Sequence, residues 1–348
     1  MKGLSYAAAL PAVFGAGMAL AEVPRVAVDI APVHGLVARV MQGVGEPDLV
    51  VPPGASPHGY AMRPSEALAL DRADAVFWIG EALTPWLEGP LETLAGRARV
   101  TELLEVDGTL ELEFRSGTTF DHDDHDHEAE HDHDGHAGED HDGHEDHAVE
   151  GEHGDDHDHM AHDEHGDAHH EDHAGHAHEG IDPHAWLAPE NAELWLSVIA
   201  AELAALDPEN AEIYMANAKA GQAEIKETVG RLDAVLEPLR ASSFIVFHDA
   251  YQYFEHSFAL TSSGAISLGD ASDPSPARIA EIRDAVASHG VACVFSEPQF
   301  NPGLVDTVLD GTGAKTVVID PMGSHIPSGP DFYTDLLSEL GSAMASCH

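Results

Sequence analysis

The sequence predicts an α/β protein with two β/α lobes, each built on a parallel sheet, joined by a long rigid connecting helix. Three observations predict it. Short β-branched or apolar runs alternate with longer amphipathic segments, first before residue 121 and again after residue 240. A His- and acid-rich tract at 121–179 interrupts the first series, and one long Pro-free segment with helical spacing separates the two.

Taken in order, the N-terminus comes first. Met1-Lys2 is followed by an Ala-rich apolar run from Leu4 to Leu20, and Ala19-Leu20-Ala21 precedes Glu22. One basic residue, a short apolar stretch and small residues before a junction make a cleavable secretory signal at 1–21. The run is interrupted by Gly and Pro and falls short of the ~20 residues of a bilayer span. No Cys lies near the junction, which excludes lipid attachment there and leads us to expect a soluble exported protein.

The first lobe is expected over 22–206. Its strand candidates are Val26–Ile30, Leu49–Val51 and Val76–Ile79, with helices over Pro64–Arg72 and Thr84–Ala95. The tract at 121–179 holds 24 Asp/Glu and 19 of the chain's 27 His, with no Lys or Arg, and Val149 and Met160 are its only large apolar residues. It lacks the apolar surface needed to offset chain entropy, so it is expected to be disordered without metal. Its alternation of imidazole and carboxylate is a metal-binding composition.

The connecting helix is expected over 207–239. Asp207-Pro208 offers an N-cap with Pro at the first helical position, and Ile213, Tyr214, Ala218, Ile225, Val229, Leu232, Val235 and Leu236 recur at three- and four-residue spacings before Pro238. About 30 residues would span ~45 Å. A break at Gly221 or Gly230, giving two ordinary helices, is the alternative. The second lobe, 240–348, carries strand candidates at Phe244–Phe247, Val291–Phe295 and Thr316–Ile319.

Of 348 residues, 15 are Lys or Arg and 63 are Asp or Glu, a formal net charge of −48. That excludes the usual nucleic-acid binder, whose phosphate contacts need a basic surface. The only cysteines are Cys293 and Cys347, which in an oxidising compartment invite one disulfide, with two unpaired thiols as the alternative.

Outside the tract stand eight histidines: His34, His58, His184, His248, His256, His289, His325 and His348. His58 lies just past a strand, in Pro57-His58-Gly59-Tyr60, and His248 directly follows Phe244–Phe247. Strand carboxyl ends are where parallel α/β folds bind ligands. His184, in Asp182-Pro183-His184-Ala185-Trp186-Leu187, sits where the tract re-enters the fold, and Asp320 closes Thr316–Ile319. Three imidazoles with a carboxylate or water make a four-coordinate Zn²⁺ site. His256 and His289 fall on helix-like stretches and are expected to be solvated. Trp186, Tyr251, Tyr253 and Phe254 are expected to form core around the site. Gly311-Thr312-Gly313-Ala314-Lys315-Thr316 lacks the Gly-Lys-Ser/Thr order of a phosphate loop.

Several segments taken together resemble the family of high-affinity zinc-uptake solute-binding proteins of ABC transporters: Gly54–Tyr60, Asp182–Leu187, Val246–Glu255, Ser296–Phe300 and Asp320-Pro321-Met322-Gly323. The resemblance covers the mature chain and includes the His-rich tract between the first two ligand histidines. It implies two lobes with a metal in the cleft between them, His58 and His184 coming from the first and His248 from the second. It also implies a disulfide between Cys293 and Cys347. Some relatives carry Glu immediately before the first histidine, where this chain has Pro57, leaving the fourth position to Asp320 or a water. Glu297 and Asp249 are candidates to support the histidines, with ordinary strand-end contacts as the alternative.

On this resemblance the protein is expected to be a monomer that captures Zn²⁺ in the periplasm and passes it to an inner-membrane ABC permease. Imidazole ligands favour Zn²⁺ over the harder Mn²⁺, and zinc affinity should fall as pH drops through the histidine range near ~6.5. The tract would collect metal or sense its level. A manganese or mixed-metal carrier is the nearest alternative, with Asp320 its best argument. A periplasmic metal buffer is another. A zinc hydrolase would need a general base beside the metal, and no His-Glu-x-x-His helix is present.

Overall fold

The computed structural model describes residues 23–115, 120, 180–267, 275–288, 290–299 and 302–347. The signal-peptide and His-rich-tract readings, and His289, Phe300 and His348, lie outside them.

The first sheet is parallel throughout, in the order β2-β1-β3-β4, with β1 Val26–Val28, β2 Asp48–Leu49, β3 Ala75–Trp78 and β4 Arg99–Glu102. β1 and β3 are buried at every position, as expected of central strands covered on both faces. The crossovers are α1 (Ala31–Met41), α2 (Pro64–Arg72) and, after a 3-10 turn at Pro85–Leu87, α3 (Glu88–Leu94). α1 and α2 each carry Pro at their first turn, where a missing N–H is harmless.

The second sheet repeats the plan in the order β6-β5-β7-β8, again all parallel, with β5 Phe244–His248, β6 Ala265–Ser267, β7 Cys293–Ser296 and β8 Lys315–Val318. Between the two sheets in sequence come α4 (Pro189–Leu206) and α5 (Ala211–Leu236). Among the described residues, four further helices belong to the second half: α6 Gln252–Phe258, α7 Pro276–Ser288, α8 Pro302–Leu309 and α9 Phe332–Ala345. Among the described residues no helix is long and apolar enough to cross a membrane.

The long helix differs from expectation at its start. Asp207 ends α4 rather than capping α5, its backbone N–H bonding Leu203 O, and α5 begins at Ala211. The Asp207 carboxylate accepts from Asn210 Nδ2 at 2.7 Å and from the Tyr214 hydroxyl at 2.9 Å, so it pins the turn between two antiparallel helices. An Asp-Pro pair marks a helix end as well as a helix start, which is why sequence alone favoured the wrong one. α5 runs unbroken through Gly221 and Gly230. A Cβ on Gly221 would meet Arg39 Cγ and Leu196 Cδ1 at 3.0 Å each, so the absent side chain is what lets α1 and α4 approach α5. α9 packs on the same helix from the second half, and Phe332 lies against Gly35 of α1. Cys293 and Cys347 are disulfide-bonded, fastening the start of β7 to the chain beyond α9.

Candidate metal centre

The strand ends and loops carry four side chains into one cavity of about 160 Å³, lined by His58, His184, His248 and Asp320 together with Trp186, Gln299, Met322 and Ser324.

His58 rides the loop after β2. The loop opens with a Pro52–Ala55 turn closed by Ala55 N–H to Pro52 O at 3.1 Å, in which Gly54 takes φ +80°, a value Gly adopts without penalty at this turn position. Trp86 Nε1–H donates to Pro57 O at 2.6 Å, and Tyr60, stacked edge-on against Trp86, donates its hydroxyl to Glu66 at 2.8 Å. The loop is thus held on both sides of His58, whose ring remains half-buried.

His184 is buried at the head of a 3-10 turn, Ala185–Leu187. Asp182 Oδ1 accepts its backbone N–H at 3.0 Å and lies 2.6 Å from its ring Nδ1. Trp186 next to it donates Nε1–H to Pro321 O at 2.9 Å, reaching the second half of the molecule beside Asp320. His248 is the last residue of β5, also buried, and its Nδ1 lies 2.6 Å from Glu297 Oε1, just past β7. Gln299 Nε2 donates to the other oxygen of Glu297 at 2.6 Å.

These contacts fix the chemistry of the pair. A carboxylate that accepts from Nδ1–H leaves Nε2 of the same ring as the nitrogen available to a metal ion. The two Nε2 atoms stand 3.2 Å apart. Two nitrogens bound to one tetrahedral Zn²⁺ at ~2.0–2.1 Å are about 3.3 Å apart. The ring centroid of His58 lies 5.6 Å from that of His184, against 5.1 Å between His184 and His248. Among the described residues, no three His, Cys, Asp or Glu side chains are arranged so as to close on a metal ion as they stand.

Asp320 is 8% exposed and begins the turn after β8. Its Oδ1 accepts from Met322 N–H at 2.9 Å, and its Oδ2 from Ser324 N–H at 2.7 Å and Ser324 Oγ at 2.6 Å. Both oxygens therefore already serve the turn. Tyr251, buried against the ring of His248, has its hydroxyl pKa pushed well above the usual range by burial and by the nearby charges of Glu297 and Asp320.

Of the two carboxylates expected to support the histidines, Glu297 does so, whereas Asp249 turns away and pairs with Arg115. Asp182, beside its histidine in sequence, was the partner overlooked; the Asp-Pro-His order, which lets one side chain reach the ring two residues on, was its only signal. Trp186, Tyr251, Tyr253 and Phe254 are buried as expected, Trp186 also lining the cavity. The other described histidines lie elsewhere. His34 on α1 bonds Pro47 O through Nε2, and burial lowers its pKa. His256 is exposed on α6, and His325 is exposed beside Glu339.

The family model described as zinc-uptake complex component A, periplasmic (ZnuA) matches residues 26–347. The chain is 41% identical over 347 residues to the high-affinity zinc uptake system protein ZnuA of Brucella abortus (strain 2308), covering 100% of this chain and 98% of that one. It is 43% identical over 330 residues to the protein of that name from Paracoccus denitrificans (strain Pd 1222), covering 94% and 93%. A crystal structure of ZnuA superimposes with a TM-score of 0.67 at 21% identity, over 93% of this chain and 99% of that one, a likeness of fold. With a match across both sheets and the cavity between them, the chain belongs to the ZnuA family of periplasmic zinc-uptake components.

Proposed function

We propose that this protein captures Zn²⁺ in the periplasm and delivers it to an inner-membrane ABC permease, as a solute-binding protein and not an enzyme. One observation carries the reading: two buried imidazoles, each with Nδ1 on a carboxylate, bring their Nε2 atoms within 3.2 Å of each other at the wall of one cavity. Two such nitrogens suit adjacent positions on one metal ion, and imidazole donors favour zinc over manganese. His58, the least buried of the three, closes the site when metal arrives. Asp320 or a water takes the fourth position, Asp320 being already engaged by its own turn.

The names of the two relatives, both zinc uptake system proteins, support the same cargo. In this reading residues 1–21 are a cleaved signal, 22–206 and 240–348 are the lobes, 207–239 joins them, and the tract at 121–179 gathers metal near the cleft. The protein works as a monomer.

The test is a competitive titration of the metal-free mature protein lacking 121–179, with Zn²⁺ and Mn²⁺ against a chelator of known affinity, repeated with His58→Ala. One tight zinc site, weaker for manganese and badly damaged by the substitution, is expected. Equal manganese affinity would make the protein a manganese or mixed-metal carrier, and loss of all stoichiometric binding would leave the tract as the metal-binding part.

A further inference from the structure

Arg115 is the only Lys or Arg between Arg99 and Lys219. It ends a short extended segment whose partner is the chain that leads into His184. Asp182 N–H donates to Leu112 O at 2.8 Å, Phe114 N–H to Gly180 O at 3.1 Å, and Glu113 bridges Ile181 in antiparallel fashion. Tyr253 of α6 locks the two together, accepting from Leu112 N–H at 3.0 Å and donating its hydroxyl to Asp182 O at 2.7 Å.

The guanidinium at the end of this segment lies on the other ligand-bearing element. Its Nε donates to the Asp249 carboxylate at 3.0 and 3.2 Å, and its Nη2 also reaches Asp249. Glu255 of α6 takes Nη1 at 2.8 Å and Nη2 at 3.1 Å, Ser262 Oγ accepts from Nη1 at 3.2 Å, and the Phe120 ring lies 4.0 Å beneath the guanidinium carbon. Asp249 and Glu255 are almost fully buried, and so is Asp182, whose Oδ2 has no hydrogen-bond partner among the described residues. Burial pulls the Arg115 pKa down, but Glu255 and Asp249 more than restore it, leaving it above its ordinary value and the group charged. One fixed cation thus compensates a crowd of carboxylates, and removing it would leave buried like charges unopposed.

We propose that Arg115 is a positioning residue of the metal site: by tying the Asp182–His184 segment to the Asp249 corner that follows His248, it sets the spacing of the two imidazoles and hence how long zinc is held. This rests on His184 and His248 being ligands. No contact of Arg115 with the metal is implied; it acts through Asp249 on one side and through its own strand pairing with Gly180–Asp182 on the other.

The test uses the full mature chain with Arg115→Met, Arg115→Lys and Glu255→Gln, with His248→Ala as the control for the ligand assignment. Zinc release into excess chromophoric chelator is timed, and the visible spectrum of the Co²⁺-loaded protein reports coordination number. Arg115→Met is expected to release zinc at least tenfold faster and to weaken the intense cobalt bands of a four-coordinate site. Glu255→Gln is expected to fall between it and the parent. Arg115→Lys should recover thermal stability of the metal-free protein, because charge is restored. It should not recover release rate or spectrum, because an ammonium cannot span both carboxylates. If Arg115→Met lowers only the unfolding temperature and leaves release and spectrum unchanged, Arg115 holds the fold and the proposal is wrong. Should Arg115→Met fail to fold, Arg115→Lys decides alone: parental release and spectrum overturn the proposal. If His248→Ala keeps a tight zinc site, the ligand assignment itself is wrong, whatever Arg115 does.

Discussion

Asp182 Oδ1 receives two hydrogen bonds from His184 alone, the backbone N–H at 3.0 Å and ring Nδ1–H at 2.6 Å. One oxygen therefore sets both where the residue sits and which way its ring faces. Glu297 does the second job for His248 from just beyond β7, at 2.6 Å. Carboxylates in this position typically contribute 10–100-fold to metal affinity. Asp182→Ala and Glu297→Ala should each weaken zinc binding by about that factor, and His184→Ala by much more; chelator competition reads all three. Unchanged affinity in both carboxylate variants would show that packing alone orients the rings.

On the Pro57 side, the loop carrying His58 is anchored by an indole donor, Trp86 Nε1–H to Pro57 O. Trp86→Phe removes about 1 kcal/mol of hydrogen bonding, so a roughly fivefold loss of zinc affinity with little change in unfolding temperature is expected. Isothermal titration and thermal unfolding of the same preparation distinguish this from a general loosening, in which the unfolding temperature would fall as well.

Asp29, wholly buried at the end of β1, accepts N–H bonds from Ile30 and Ile79, yet desolvation outweighs them and pushes its pKa up from 3.8 to about 7. The folded state therefore prefers the protonated acid. This contribution to stability is complete below pH ~4 and is lost as pH rises through about 7. The stability difference between the parent and Asp29→Asn should shift by a few kcal/mol between pH 4 and 8, the parent losing ground on the alkaline side. Denaturant titrations across that range measure it, and a constant difference would show that Asp29 is already ionised at pH 4.

Two glycines should respond oppositely to alanine. A Cβ on Gly341 of α9 would fall 2.5 Å from Leu232 Cδ2 of α5, so Gly341→Ala should destabilise by ~1–3 kcal/mol. Gly230 is exposed on α5 with nothing within 4 Å of a Cβ, and Gly230→Ala should stabilise by ~0.5–1 kcal/mol. Urea midpoints of the two variants settle both signs.

Reduction of Cys293–Cys347, which closes 54 residues of chain, should cost about 2–4 kcal/mol. Because neither cysteine lines the metal cavity, the single tight zinc site of the protein lacking 121–179 should survive reduction at low temperature. A reduced protein that unfolds at the parental temperature would contradict this.

How much of this was legible beforehand follows from the range of each interaction. Strands such as Phe244–Phe247 announce themselves locally, and His248 inherits its place by ending one, so the four cavity residues could be named. Two helices meeting at Asp207 present the same dipeptide a single helix start would, and only the Tyr214 and Asn210 contacts reveal the corner. Continuity of α5 through Gly221 depends on Arg39 and Leu196, far away in sequence. Arg115 was invisible for the same reason: its partners lie 134 and 140 residues on, and nothing local distinguishes it from a surface arginine.

The pairing of Leu112–Phe114 with Gly180–Asp182 has an evolutionary side. The chain leaves and returns at one hydrogen-bonded stem, so whatever intervenes closes as a loop whose cost rises only logarithmically, about 0.6 kcal/mol for each doubling of length. Insertions and deletions in the intervening chain are therefore cheap for the fold, and His184, two residues beyond the stem, keeps its place.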